Sequence, residues 1–224
     1  MTDTRDRLWR RLLAVPTAVV GLALAAALLE NRLASGNLAA TVADALPHSG
    51  VSNPVTAVLL NFRAFDTLLE IAVLLLALIG IRALRLPAAE REQLPHSSVF
   101  DHLLHFAAPI LVVIAAYLLW VGATAPGGAF QAGAVLAGAG VLLHLGGLVR
   151  MPPTGMRLLA TVGLLVFVGA GIASLLINGE MLQYPVAYAG AVILAIEVAA
   201  TISIAAVLTA AFVGSERSEP GTAG

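Results

Sequence analysis

Three ionisable side chains occur within eight residues at the start of a strongly apolar segment. Arg63, Asp66 and Glu70 lie in the sequence NFRAFDTLLE, and the ten residues that follow carry no charge. In a helix, Asp66 and Glu70 share one face and differ in depth by about 6 Å. Such carboxylates can relay protons or bind a hard cation, which prefers oxygen ligands. In the alternative, Arg63 and Asp66 form an ion pair that holds the helix end at a membrane surface, and Glu70 is paired or neutral.

Glu197 is a second candidate because it stands alone in a long apolar segment. It lies near the middle of VAYAGAVILAIEVAATISIAAVLTAAF, residues 186–212. A carboxylate that far from water requires a partner, hydration or a proton. The hydroxyls of Thr201 and Ser203 follow it in the sequence but share its side of a helix only loosely. Two roles remain open: a station on an ion path, or a neutral carboxyl that is hydrogen-bonded to a neighbouring helix.

Histidines form a third group, at the ends of two further apolar segments. His102 and His105 follow Asp101, and His144 lies near the end of the next segment. If those helices are antiparallel neighbours, His105 and His144 have similar depth and can face each other. We expect either a proton-relaying or hydrogen-bonding role, or plain polar packing at the interface. Two histidines on separate helices with one aspartate are too few to predict a metal site.

The composition indicates that most of the chain is surrounded by lipid. The 224 residues are 59% hydrophobic and 11% charged, with a mean hydropathy of +0.95. A soluble domain has about 25% charged residues. The net charge of −1 gives no reason to expect a nucleic-acid partner. The absence of cysteine excludes disulfides, thiolate-bound metal clusters and a thiol nucleophile.

Six segments are long and apolar enough to be membrane helices, which need about 20 mostly apolar residues. They are residues 12–29 and, roughly, 66–84, 99–121, 129–149, 157–177 and 185–213. The first segment is longer than the core of a signal peptide, which has about 7–15 residues, so we expect an uncleaved helix. The predicted fold is an all-α integral membrane protein with six transmembrane helices.

The arginines predict the orientation of these helices, since basic residues concentrate in cytoplasmic loops. All 12 basic residues are arginines. Most of them lie before the first span, after the second, between the fourth and fifth, or after the sixth: Arg5, Arg7, Arg10, Arg11, Arg82, Arg85, Arg91, Arg150, Arg157 and Arg217. The opposite loops hold only Arg32 and Arg63. Both termini are therefore predicted to be cytoplasmic.

A polar linker divides the chain into two predicted parts. Residues 86–98, LPAAEREQLPHSS, contain two prolines and a cluster of charges. We predict a two-helix segment at residues 1–94 and a four-helix domain at residues 95–224.

A glycine-rich turn, GATAPGGAFQAG at residues 122–133, joins the third and fourth spans. The sequence Pro126-Gly127-Gly128 predicts a tight turn, because glycine adopts positive φ at little cost. The small residues that follow let membrane helices pack closely. Gln131 opens the fourth helix, and we expect it to be buried between helices and hydrogen-bonded.

The same turn resembles a motif, GxxxPGGxFQxG, of the MnhB/MrpB family in the Mrp-type multisubunit Na+/H+ antiporters. The four spans from about residue 96 to 214 are similar to that family in length and layout. The preceding segment, NPVTAVLLNFRAFDTLLEIAVLLLALIG, resembles the MbhE component of the related membrane-bound hydrogenases. A similar segment also forms the C-terminal part of the large MrpA component of the antiporters. Together the two resemblances cover most of the chain.

The matches and departures can be stated residue by residue. The matching residues are Arg63, Asp66, Thr67, Glu70, Pro126, Gly127, Gly128, Phe130, Gln131 and Gly133. Ala123 and Thr124 replace a His-Asn pair that is frequent in the family, and Ala129 replaces a third glycine. A role for a histidine in the turn therefore does not carry over to this chain.

The resemblance implies a non-catalytic membrane subunit of a multisubunit cation (Na+)/proton antiporter in the bacterial inner membrane, without a cofactor of its own. Its partners would be other membrane subunits, and it would contribute structure and part of an ion path. The candidate residues for that path are Asp66, Glu70, Glu197, His105, His144 and Gln131. The chain has no lysine, so it cannot supply the buried lysines along which large antiporter-like subunits move protons.

Two alternatives to the antiporter remain open at this stage. One is a membrane-arm subunit of an ion-pumping oxidoreductase of the complex I or membrane-bound hydrogenase type. Its redox centres would then belong to cysteine-rich partner subunits. The other is a self-contained membrane scaffold or small transporter, which predicts a chain that is stable alone in detergent.

Overall fold

The computed structural model describes residues 18–19, 21–27, 29, 38–83, 98–149 and 152–214. The chain forms two compact units, residues 1–42 and residues 43–224. In the first unit the described residues between 18 and 29 are helical. They belong to the first predicted span, and the rest of that span lies outside the described residues. The N-terminal arginines, the linker up to residue 97 and Arg217 lie outside them as well.

All regular structure in the described residues is helical. The α-helices are, in chain order, α1 (Leu38–Ala45), α2 (Pro54–Ala57), α3 (Ala64–Ala83), α4 (Ser98–Val121), α5 (Ala129–Leu145), α6 (Pro153–Asn178) and α7 (Val186–Gly214). A 3-10 helix, Leu46–His48, follows α1, and a π-helix, Val58–Phe62, connects α2 to α3.

Four of these helices, α3, α4, α6 and α7, are long and apolar enough to cross a membrane. The apolar helix α5 has 17 residues and is slightly shorter than the usual spanning length. The prediction of an all-helical membrane protein is therefore confirmed. The count of six spans and their orientation stay predictions, because the first span is only partly described.

Glycine and proline explain where α5 ends and α6 begins. We predicted that the fourth span reaches residue 149, but α5 ends at Leu145. Gly147 has a φ of 68°, a left-handed conformation that favours glycine and terminates helices. We predicted that the fifth span begins near residue 157, but α6 begins at Pro153. The fixed φ of proline suits the first turn of a helix.

The central helix of the bundle is α7. Both α5 and α6 pack on it, α4 packs on α5, and α3 packs on α6 and α7. Glycines permit the closest contacts: a Cβ on Gly133 would lie 2.8 Å from Cβ of Ile204, and one on Gly163 would lie 2.6 Å from Cβ of Ser203. The buried hydroxyl of Ser203 donates a hydrogen bond to the backbone oxygen of Ala160 at 2.6 Å. Small residues therefore allow α5 and α6 to approach the α7 backbone.

Candidate functional site

A cavity of about 120 Å³ lies where α2 and the π-helix meet the glycine turn and α7. Its polar walls come from distant parts of the sequence: Asn53, Thr56, Thr67, Gln131 and Glu197. Most of the remaining wall is formed by residues 125–130 and by apolar side chains of residues 55–60. Six of the motif residues predicted from the sequence line this cavity: Thr67, Pro126, Gly127, Gly128, Phe130 and Gln131. The two sequence motifs therefore meet here.

Glu197 is the only charged side chain among the described residues that line the cavity, and it is 5% exposed. It lies eleven residues from the start of α7, about 16 Å along the helix axis. No described residue donates a hydrogen bond to its carboxylate. The hydroxyl of Thr201 bonds instead to the backbone oxygen of Glu197, at 2.8 Å. The hydrogen bond to a neighbouring helix that a purely structural role requires is therefore absent from the described part of the chain.

The glycine turn forms the wall that faces this carboxylate. Gly128 has a φ of 104°, and a Cβ built on it would lie 3.2 Å from Oε1 of Glu197. A Cβ on Gly122 would lie 2.5 Å from the backbone nitrogen of Gly128. That nitrogen donates a hydrogen bond to the backbone oxygen of Leu118 at 2.9 Å. The turn is so compact that Gly122 and Gly128 have no room for a larger side chain.

Asn53 and Thr56 attach the turn to the segment that precedes α3. The side-chain nitrogen of Asn53 and the hydroxyl of Thr56 each donate a hydrogen bond to the backbone oxygen of Gly122, both at 2.8 Å. The side-chain oxygen of Asn53 also accepts a bond from the backbone nitrogen of Val55 at 2.9 Å and so caps α2. The sequence did not identify either residue as part of the site. An asparagine before Pro54 indicates a helix cap, but no local signal indicates a partner almost 70 residues away.

The π-helix supplies the wall opposite the turn. Its wide turn is closed by the backbone nitrogen of Arg63, which donates to the backbone oxygen of Val58 at 2.8 Å. The hydroxyl of Thr67 donates to the backbone oxygen of Leu59 at 2.7 Å and lines the cavity with its remaining lone pairs. Single π-turns of this kind are frequent at functional sites.

The cavity can accept a proton, a water molecule or a monovalent cation. A hard cation takes oxygen ligands, and the carboxylate of Glu197 is accompanied here by the hydroxyl of Thr67 and the amide oxygen of Gln131. A single carboxylate balances one positive charge. The described residues contain no group of three or more His, Cys, Asp or Glu side chains that is arranged to hold a metal ion.

The charged residues at the start of α3 are separated from this cavity. Arg63 and Asp66 form the predicted ion pair at partly exposed positions, where such a pair contributes little stability. Glu70 is exposed and makes no hydrogen bond or ion pair with the described residues. The structure therefore brings Thr67 to Glu197 but leaves Asp66 and Glu70 outside the cavity.

Gln131 lines the cavity, but it is exposed. The expectation that it is buried between helices is therefore wrong. Ala132 and Gly133 are the buried residues of this turn of α5. Because successive residues of a helix point about 100° apart, Gln131 lies on another side, at the rim of the cavity.

The histidines do not come together in one cavity. His144 is half-buried and lines a second, mostly apolar cavity of about 470 Å³ between α5, α6 and α7. His102 and His105 are exposed on α4, and neither lines that cavity. The side chain of Asp101 lies outside the described part of the structure.

Two protein-family models match the chain. The model described as "Domain related to MnhB subunit of Na+/H+ antiporter" matches residues 99–216. The MbhE model, which describes the E component of MBH, matches residues 5–98. Asn53, Thr56 and Thr67 fall in the second region, and Gly128 and Glu197 fall in the first. The walls of the cavity therefore come from both matched regions.

A curated relative extends the similarity to a cation/proton antiporter. The chain is 28% identical over 156 residues to the probable K(+)/H(+) antiporter A/B protein of Rhizobium meliloti (strain 1021), a match that covers 56% of this chain and 16% of that protein. The chain thus spans a small part of this relative.

Two solved structures share the fold. The first is a chain of the Mrp complex from Dietzia sp. DQ12-45-1b, with a TM-score of 0.66, 23% identity, and coverage of 95% of this chain and 26% of that chain. The second is a chain of the membrane-bound sulfane sulfur reductase, an archaeal respiratory membrane complex. Its TM-score is 0.69 with 24% identity, and the match covers 94% of this chain and 99% of that chain.

Proposed function

The chain belongs to the family of domains related to the MnhB subunit of Na+/H+ antiporters, and from this premise we propose that it is a membrane subunit of a multisubunit cation/proton antiporter. Its task is to join neighbouring membrane subunits and to provide part of an ion path, without bond chemistry of its own. We place it in the bacterial inner membrane, with six spans and both termini in the cytoplasm.

The observation that carries this proposal is the buried carboxylate of Glu197 in a cavity built by both motifs. An unpaired carboxylate in an apolar helix is expensive and normally faces protein groups or water. A proton, a cation or water in the cavity offsets that cost. Only occupants of this kind can also exchange, so the same feature that stabilises Glu197 suits an ion path.

The other candidate residues take subordinate places in this proposal. Thr67 and Gln131 supply neutral oxygens beside Glu197. Asp66 and Glu70 lie nearer the outer end of α3, where carboxylates attract cations. His105 and His144 lie toward the cytoplasmic ends of their helices, where imidazole groups can exchange protons at physiological pH.

A second candidate function is supported by the similarity to the archaeal reductase. That match covers nearly the whole of both chains, whereas the antiporter relative of R. meliloti is much longer than this chain. The alternative is therefore a membrane-arm subunit of a redox-driven ion pump. Because this chain has no cysteine, iron–sulfur centres of such a pump would be bound by partner subunits.

Purification of the tagged chain from its native membrane tests the proposal. We expect antiporter-like membrane subunits to co-purify, and the purified complex to contain neither iron–sulfur clusters nor nickel. Iron–sulfur clusters or nickel in the complex would instead support the redox-driven alternative. A chain that purifies alone and stays monodisperse in detergent would contradict both proposals.

A further inference from the structure

Glu70 lies in the membrane-spanning part of α3 without a partner in the described chain. It is the seventh residue of this 20-residue helix, about 9 Å along the axis from the first residue. Its side chain is exposed and makes no hydrogen bond or ion pair with described residues. Since a carboxylate facing lipid is strongly unfavourable, the assembled protein must cover Glu70 with a group that this chain does not provide.

Glu70 begins a stripe of exposed residues that has the spacing of a helix–helix contact. The stripe consists of Glu70, Val73, Ala77 and Gly80, at intervals of three, four and three residues, and all four are exposed. Residues at this spacing lie on one face of a helix. The same spacing recurs along the seams of closely packed helix pairs. The residues of α3 that pack within the chain, such as Ile71 and Leu78, lie elsewhere around the helix.

The glycine at position 80 serves no contact within the described chain. A Cβ built on Gly80 would meet no atom within 4 Å, whereas a Cβ on Gly133 would meet Ile204 at 2.8 Å. Glycine is also a poorer helix former than alanine. Small residues on a membrane helix let a second backbone approach closely. Ala77 and Gly80 therefore form a shallow depression that suits a neighbouring helix rather than the chain's own packing.

We infer that this stripe is the docking surface for a transmembrane helix of another subunit that presents a basic side chain to Glu70. An opposite charge at Glu70 removes the cost of its isolation in lipid and forms a strong charge-assisted hydrogen bond. One or two turns further along, the same partner helix crosses Ala77 and Gly80 at short distance. The inference uses the proposed function in one respect, since it requires that the chain belongs to an assembly.

The chain itself offers no basic group for this position. Its first apolar segment, residues 12–29, contains no charged residue and no histidine. Arg63 pairs with Asp66, and Arg82 lies twelve residues further along α3, about 18 Å away. The basic side chain is therefore expected from another polypeptide.

Cross-linking in the assembled complex tests the docking surface. The chain has no cysteine, so Val73→Cys introduces a single thiol to which a photoactivatable cross-linker can be attached. Ile79→Cys is the matched control, because Ile79 is as exposed as Val73 but lies on another side of α3. In native membranes we expect an adduct between Val73→Cys and another subunit, at a helix that carries Lys, Arg or His within one turn of the linked residue.

Three outcomes would overturn the inference. They are an adduct with residues 12–29 of the same chain, a linked helix without a basic residue, and the absence of any adduct that Ile79→Cys does not also form. Because cysteine replaces a side chain that is exposed in the isolated chain, these results do not depend on a folding defect.

Bulk and charge variants provide a second measurement, the amount of partner recovered with the tagged chain. Gly80→Phe should lower this recovery by about tenfold or more, and Ile79→Phe should leave it unchanged. Glu70→Arg should lower it further than Glu70→Gln, because it places like charges together. Equal recovery for Gly80→Phe and Ile79→Phe would contradict the inference.

The failure of this inference and the failure of the proposed function are distinguishable. If partners co-purify with the unmodified chain but do not react at Val73→Cys, the docking surface is wrong and the proposed function stands. If no antiporter-like partner co-purifies with the unmodified chain, the proposed function itself is wrong.

Discussion

The carboxylate of Glu197 lies against the backbone of Gly128, with Oε1 3.2 Å from the position that a Cβ of residue 128 would occupy. Gly128 also has a φ of 104°, which residues other than glycine rarely adopt. Two independent constraints therefore require glycine at this position. The contact also links a turn that the sequence motif identifies to an acidic residue about 70 positions away.

Removing the charge of Glu197 should impair ion transport but not assembly. We expect Glu197→Gln to lower cation-driven proton flux by at least about tenfold, because no other charged residue described in the cavity can replace it. The flux is measured in inside-out membrane vesicles with a pH-sensitive dye, with Na+ and K+ added separately. Glu180→Gln, which changes an exposed carboxylate in the loop before α7, is the control. Normal flux in a protein that carries both Glu70→Gln and Glu197→Gln would reduce these residues to packing elements.

A methyl group at position 128 should be costly, whereas one at position 138 should not. Gly128→Ala forces alanine into a left-handed conformation, at roughly 1–2 kcal/mol, and also displaces Glu197. In Gly138→Ala the added Cβ meets no described atom within 4 Å, and alanine favours the helix. We expect a lower Tm in detergent and reduced transport for Gly128→Ala only. Similar Tm values for the two variants would argue against the turn geometry.

Asn53 should stabilise the site through two separable hydrogen bonds. Asn53→Ala removes both the cap of α2 and the bond to Gly122, which should cost about 1–3 kcal/mol in total. Asn53→Asp keeps an oxygen for the cap but loses the donor to Gly122, so a loss confined to the clamp should appear in both variants. The measurement is the free energy of unfolding in detergent. Ser52→Ala is the control, because the bond from Ser52 to Ala123 is exposed and long, at 3.4 Å; a loss as large as that of Asn53→Ala would count against the clamp.

Tyr184 should reduce stability at high pH. Its hydroxyl is buried without a hydrogen-bond partner in the described chain, and burial raises the pKa of Tyr184 to about 12. In the unfolded chain this group ionises near pH 10, so the contribution of its neutral form is complete below pH 10 and is lost as pH rises toward 12.

Tyr184→Phe should therefore be neutral or stabilising at pH 8, since it removes an unpaired polar group. It should also flatten the loss of stability between pH 10 and 12. Denaturant titrations at pH 8 and pH 11 measure both effects, with the exposed Tyr188 changed to Phe as the control. A clear loss of stability at pH 8 would show that the hydroxyl has a partner.

Part of the site could be predicted because it depends on neighbours in the sequence. The Arg63–Asp66 pair follows from a spacing of three residues on a helix. The need for glycine at 127 and 128 follows from the chemistry of tight turns. The lengths of the apolar segments predict helices such as α3 and α7, and their ends shifted only where Gly147 and Pro153 imposed a local conformation.

The sequence by itself determined that the chain is a helical membrane protein and that Glu70 and Glu197 are isolated carboxylates in apolar helices. Only the tertiary structure decided that Glu197 is buried in a cavity while Glu70 is exposed. It also decided that Asn53 and Thr56 hold the turn through the backbone oxygen of Gly122. The physical reason is that spacing along a helix determines which residues share a face, whereas the packing of other helices determines which face is covered.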